Sequence, residues 1–200
     1  ALFELKVLLL SPIDSKINCF FDEKKIEYLQ YNKAIDNALI KEFQPKIILS
    51  YIYRYIITKK VLEKIEIPIL NLHSSFLPYN RGANPNFWSF YENTPKGTSI
   101  HIIDEGIDTG DIIYQTENNF DLDLTFRQTY ERLEKQITED FIKIFPAFMS
   151  GDIKPEKQIH KGTYHNADQI NPFLKKFPNL WEYKIENFLI ELKNQSNLEI

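Results

Sequence analysis

The feature that most constrains this chain is an alternation in its first third, where short apolar runs are separated by stretches with helical spacing. Lys6 to Ser11 carries Val7, Leu8, Leu9 and Leu10 in an unbroken run closed by Ser11-Pro12, which predicts a strand buried on both faces. Ile26 to Tyr31 predicts a second strand, and Lys33 to Phe43 sets Ala34, Ile35, Ala38, Leu39 and Phe43 at helical spacing up to Gln44-Pro45. Lys46 to Tyr51 and Ile67 to Leu72 are again strand-like, with a helix from Thr58 to Ile65 between them. Strands this apolar, joined by helices, form a parallel sheet covered by helices, with functional loops beyond the carboxyl ends of the strands.

Further along, Pro85 to Glu92 predicts a short helix, and Gly97 to Ile103 and Ile112 to Gln115 predict strands. From Thr125 to Met149, Phe126, Tyr130, Leu133, Ile137, Phe141, Ile144 and Phe148 recur in steps of three and four, one long amphipathic helix that Gly151 ends. Residues 152–200 mix a polar strand-like run, a Pro-bounded short helix and a terminal helix bearing Trp181, Ile185, Phe188, Leu189 and Leu192 on one side. That stripe requires cover, either from the same chain or from a second copy in a homodimer, and both readings stand at this point.

Composition narrows the class. The 43% hydrophobic and 26% charged side chains of the 200 residues suit a compact fold and exclude a disordered one. The longest apolar runs contain Lys46, Arg54 or Lys59, so no membrane span is expected. The single cysteine, Cys19, allows no internal disulfide, thiolate zinc cluster or iron–sulfur site. With Ala1 to Val7 showing no leader features, a cytoplasmic location is expected. The net charge of −4 offers no basic field for nucleic acid.

Candidate chemistry gathers in two places. Asn71 and His73 stand two apart at the end of a predicted strand and so project to one face. An amide donor beside an imidazole suits stabilisation of an oxyanion with proton transfer; equally, Asn71 can tether a loop and His73 can be a satisfied core histidine. The second place is the loop Asp104-Glu-Gly-Ile-Asp108-Thr-Gly-Asp111, preceded by His101. Four of the six glycines, Gly82, Gly97, Gly106 and Gly110, fall in this region, which argues for tight turns near a site. The acidic residues lack the alternating pattern and closing Glu of a calcium loop, so no metal is expected.

Together, Asn71-Leu-His73-Ser-Ser-Phe-Leu-Pro78, Arg81-Gly82-Ala83-Asn84-Pro85 and Asp104-Glu-Gly-Ile-Asp108-Thr-Gly-Asp-Ile-Ile resemble the formyltransferases that use N10-formyltetrahydrofolate. The similarity runs from about Ile47 to Tyr114 and includes the spacing between the blocks. It implies an α/β, Rossmann-like, mostly parallel sheet flanked by helices over residues 1–151, with a small C-terminal extension at 152–200. It also implies an Asn, His, Asp catalytic set on Asn71, His73 and Asp108, with His101 orienting the Asp108 carboxylate or pairing with backbone. Arg54, Tyr55, Ile56, Ser75, Phe76, Leu77, Pro78 and Asp104 would border the folate, Arg54 having an ordinary alternative as a surface ion-pair partner. Arg81, Asn84 and Trp88 would lie on the substrate side, although a Trp such as Trp88 on a short helix is more often core than a stacking platform.

Departures from the family pattern bear on the acceptor. Glycinamide ribonucleotide enzymes carry a Gly-Ser-Asn phosphate loop after the first strand, whereas this chain has Ser11-Pro-Ile-Asp-Ser15, in a region short enough that no full helix is expected before Ile26. Methionyl-tRNA enzymes add a basic C-terminal barrel, whereas residues 152–200 have balanced charge. His160-Lys-Gly-Thr-Tyr-His165 resembles a segment of short sugar N-formyltransferases. The expected acceptor is therefore the primary amine of a nucleotide-linked amino deoxysugar. Glycinamide ribonucleotide, or a non-catalytic folate- or nucleotide-binding module, are the alternatives.

Overall fold

The computed structural model describes residues 4–196; residues 1–3, where the leader reading begins, and 197–200, the end of the expected extension, lie outside them. In chain order the elements are β1 (Lys6–Leu10), α1 (Lys16–Glu23), β2 (Glu27–Tyr31), α2 (Asn37–Phe43), β3 (Ile47–Tyr51), α3 (Lys59–Leu62) and β4 (Ile69–His73). There follow β5 (Arg81–Gly82), α4 (Pro85–Tyr91), β6 (Gly97–Ile102), β7 (Ile112–Glu117), α5 (Phe126–Met149), β8 (Tyr164–His165), α6 (Asn171–Lys176) and α7 (Ile185–Ser196). Six strands form one sheet in the order β2-β1-β3-β4-β6-β7. The first four are parallel, and β6 and β7 join antiparallel. This is the Rossmann-like, mostly parallel arrangement expected.

Period-two alternation explains why the strands are apolar throughout. Val7 and Leu9 of β1 face α1 and α5, packing with Phe21, Phe141 and Phe145, while Leu8 and Leu10 face α2 and α3, packing with Ile40 and Val61. The carboxyl ends of β3 and β4 therefore emerge between two helical layers, where the loops that follow them can form a site.

Three helix boundaries differ from those read off the sequence. The segment before Ile26 does hold a helix, the eight-residue α1, because the Ser15 side chain accepts from Ile17 N at 3.2 Å and Asn18 Oδ1 accepts the Ser15 N–H at 2.9 Å. Helix α2 starts at Asn37, not Lys33, because the Asp36 carboxylate caps the Leu39 N–H at 2.9 Å. The expected helix from Thr58 to Ile65 shrinks to the single turn of α3. Thr58 makes no side-chain cap, and the amides of Lys64 and Ile65 bond three residues back, which closes turns and does not extend a helix.

The segment after Gly151 folds back. An isolated bridge pairs Glu156 with Ile112, and β8 pairs in parallel with β5. Among the described residues the apolar stripe is covered by the same chain. Ile185 and Phe188 are fully buried, with Leu189 and Leu192 packed against the same cluster, among Phe87, Trp88 and Phe90 of α4 and Phe126 of α5. Trp181 belongs to a short 3₁₀ turn before α7. Trp181, Leu189 and Leu192 are only partly buried, so the stripe is packed within the chain at Ile185 and Phe188 and half-covered at its edges.

Candidate active site

Parallel and antiparallel pairing together bring the polar residues into reach. Asn71 on β4 stands in register with His101 on β6, so their side chains meet, the Asn71 Nδ2 lying 3.1 Å from His101 Nε2. The loop after β6 returns Asp108 to the same point. The Asp108 carboxylate takes the Asn71 amide on Oδ1 at 3.3 Å and the Gly82 N–H on Oδ2 at 2.8 Å. His101 Nε2 lies 3.3 Å from Oδ1, and His73 Nε2 lies 3.5 Å from Oδ2. Two glycines are indispensable to this closure. A side chain at Gly110 would sit 1.8 Å from the Ile102 carbonyl, and one at Gly82, where φ is +86°, would sit 2.2 Å from the His165 carbonyl.

The hydrogen bonds also assign protons. His73 Nε2 is 3.0 Å from the Asn80 carbonyl, which can only accept, so Nε2 carries the hydrogen and Nδ1 is the nitrogen left to exchange a proton. Likewise His101 Nδ1 donates to the Ile102 carbonyl at 2.9 Å, which aims Nε2 at Asp108 and Asn71. The carboxyl of Asp108 is largely buried, and burial opposes its charge. The His73 and His101 rings and the Gly82 N–H outweigh that opposition and hold it well below the usual carboxylate range.

A cavity of about 680 Å³ opens beside this cluster, of a size that takes small-molecule substrates. His73, Ser74, Gly82 and Asn84 give it a polar end, Leu72, Pro85 and Phe87 an apolar wall, and Arg54, Arg127 and Trp181 also line it. Of the residues singled out in the sequence, Asn71, His73, His101 and Asp108 come together, and Arg54 and Asn84 reach the cavity. Several others do not. Ser75 and Leu77 are buried beneath it, tied through Ser99, whose hydroxyl donates to the Ser75 carbonyl at 2.6 Å and accepts the Leu77 N–H at 3.0 Å. Pro78 is buried and Phe76 half-buried outside the lining. Tyr55 lies under the Arg54 guanidinium, Ile56 is 80% exposed, and Asp104 caps its own loop through Gly106 N and Thr109 Oγ1. Arg81 bonds to Gln158, and Trp88 is buried against His165.

Sequence reasoning missed four residues. Asn80 fixes His73, and Gln158 Nε2 binds the carbonyls of Asp108 and Gly110 at 2.9 and 2.8 Å while its Oε1 holds Arg81. Glu134 lines the cavity from α5, and His165 stacks on Trp88. Of these only His165 lies in a segment singled out in the sequence, His160 to His165, and there it has no assigned role. Among the described residues no group of three or more His, Cys, Asp or Glu could hold a metal ion, and no helix is long and apolar enough to cross a membrane.

Comparison with known proteins agrees with this geometry. The family model for Formyl transferase matches residues 15–145. Methionyl-tRNA formyltransferases of Clostridium acetobutylicum and Fusobacterium nucleatum subsp. nucleatum are 34% identical over 129 and 151 residues, which are 64% and 74% of this chain but 42% and 49% of theirs. The chain thus spans less than half the length of these curated relatives. Among solved structures, the formyltransferase PseJ from Anoxybacillus kamchatkensis, in complex with UDP-4,6-dideoxy-4-formamido-L-AltNAc and tetrahydrofolate, is 37% identical with a TM-score of 0.84, over 90% of this chain and 96% of that one. A sugar N-formyltransferase from Shewanella sp FDAARGOS_354, 19% identical over 84% of this chain and 79% of its own with a TM-score of 0.73, shares the fold. A family match over most of the sheet and α5, joined to a 37% identical relative aligned along nearly its whole length, places this chain in the formyl transferase family.

Proposed function

We propose that this protein transfers a formyl group from N10-formyltetrahydrofolate to the primary amine of a nucleotide-linked amino deoxysugar. The observation that carries the reading is the largely buried Asn71–His73–Asp108 cluster with His73 on the lining of a cavity of about 680 Å³. Support for the acceptor comes from the near full-length likeness to PseJ, whose complex holds a UDP-linked formamido sugar and tetrahydrofolate. The methionyl-tRNA formyltransferases, 34% identical over under half of their own length, make methionyl-tRNA the second reading of the acceptor.

In this reaction the amine attacks the formyl carbon, whose oxygen becomes negative. His73 lines the cavity and, as an imidazolium, donates to that oxygen through Nδ1 while Nε2 stays on the Asn80 carbonyl. Asn71 shares its amide between Asp108 and His101, so turning it toward the oxyanion exchanges one of these bonds for a charge-assisted one. Asp108 stabilises the imidazolium form of His73, which passes a proton to the departing folate nitrogen. Arg54 and Asn84, on the cavity wall, are the candidates for folate and sugar contacts respectively, and the division of the chain into a catalytic part, 1–151, and an extension, 152–200, belongs to the same reading.

The test is a formyl-transfer assay with the full chain, N10-formyltetrahydrofolate and a panel of nucleotide-linked amino deoxysugars, glycinamide ribonucleotide and methionyl-tRNA. Formylation of an amino sugar is expected. Reaction with one of the other amines alone would replace the acceptor, and no reaction with any amine would leave the non-catalytic binding module in its place.

A further inference from the structure

Glu134 is an acid that the reaction described so far does not use. It lines the cavity together with His73, Ser74 and Tyr130. The Ser74 hydroxyl donates to its Oε1, and Tyr51 stands against the same carboxyl. Its Oε2 is sealed from solvent and has no hydrogen-bond partner among the described residues. No described Lys or Arg forms an ion pair with it: Arg127 lines the same cavity but engages Glu182. A carboxyl taken from water without a cation destabilises the fold, and such a group is retained where a ligand supplies what is missing.

The groups around it agree on the sign of that ligand. Burial pushes the Glu134 carboxyl up, against the lowering by the Ser74 and Tyr51 hydroxyls and by His73. The Tyr130 hydroxyl is pushed up to about 12 by its own burial and by Glu134. Tyr51 is raised likewise, first by burial and then by Glu134. Both phenols are neutral, and no described Lys or Arg pairs with the carboxyl although Arg54 and Arg127 line the same cavity. A primary amine arrives as an ammonium at neutral pH and has no lone pair with which to attack.

We propose that Glu134 is a catalytic residue of the acceptor side, its carboxylate turning Oε2 from its buried position toward the cavity to receive the substrate ammonium and take one proton, so that a neutral amine is delivered beside His73. This rests on the amine-formylation reading above. The protons balance. Glu134 removes one from the ammonium; the new C–N bond forms and the C–N10 bond breaks; one of the two remaining amine protons passes through His73 to N10. The proton held by Glu134 returns to solvent when product leaves.

The test is Glu134→Gln, which keeps an acceptor for Ser74 and loses the charge. With the amino sugar that the wild type formylates, kcat/KM for the amine should fall roughly 10²-fold at neutral pH, the span of a lost general base, with KM for the formyl donor unchanged. The defect should shrink as pH rises and the amine arrives neutral. Glu134→Asp should retain the wild-type pH profile at a lower rate. The Gln variant should melt no lower than wild type, because an ionised buried carboxyl costs stability. A Gln variant within threefold of wild type at neutral pH, or a defect equal at every pH, overturns the proposal. If the Gln variant melts lower and Glu134→Asp loses the wild-type pH profile, the role is structural and the proposal also fails. A wild type that formylates no amine overturns the functional reading first, so the two failures are distinct.

Discussion

The His165 imidazole lies face to face on the Trp88 indole, with ring centroids 3.9 Å and planes 9° apart. His165 Nε2 also comes within 2.9 Å of the Glu92 carboxylate. Both partners belong to or adjoin α4, whereas His165 comes from β8, so the stack fastens the segment after Gly151 to the helix that walls the cavity. Replacing His165 with Ala should cost about 1 kcal/mol for the ring pair and should change tryptophan emission. Unchanged urea unfolding with unchanged emission would mean the stack does not form in solution.

His73→Ala should leave the fold intact and lower turnover roughly 10²-fold or more, since it removes the proton-exchanging nitrogen and the donor that lines the cavity. Near-normal turnover of a folded variant would move the chemistry elsewhere.

The depressed carboxyl of Asp108 makes stability depend on acid. A carboxyl whose folded value lies below its unfolded one, near ~3.9, contributes in full above that unfolded value and loses the contribution as pH falls toward the folded one. Unfolding curves of wild type and Asp108→Asn should therefore be separated at neutral pH and converge below about pH 4. Curves that stay parallel through the acid range would contradict the ionised, histidine-bound carboxylate.

Phe188 has no exposed surface and its ring contacts Phe87, Phe126 and Phe177 at centroid distances of 5.4, 5.3 and 5.2 Å. Phe188→Asp should lower stability by about 4 kcal/mol or more, the combined cost of a lost aromatic and a buried charge. A melting temperature within experimental error of wild type would show that α7 does not pack there.

What could be read in advance followed from local spacing. Val7 to Leu10 declared a strand covered on both faces, and Asn71 and His73, two apart, had to share a side wherever β4 ended. His101 needed only the antiparallel register to meet Asn71. The sequence Ser75 to Pro78 continues the same block, yet its chain dives inward to Ser99 and Gln115, a contact across β6 and β7 that no spacing encodes. The α1 helix was hidden because Asn18, not Glu or Gln, completes the Ser15 capping box. Glu134, Gln158 and His165 reach the site from far along the chain, and their importance exists only once the sheet has closed.

Gln158 gives the post-helix segment an unexpected standing. One amide grips Arg81 on one side and, on the other, the two carbonyls bracketing the turn that aims Asp108. That turn holds Asp108 at φ +52°, a conformation uncommon for a residue with a side chain, and the splint helps Asn71 and the Gly82 N–H keep the acid pointed. A chimera carrying a foreign tail would be expected to keep its sheet and lose its aim.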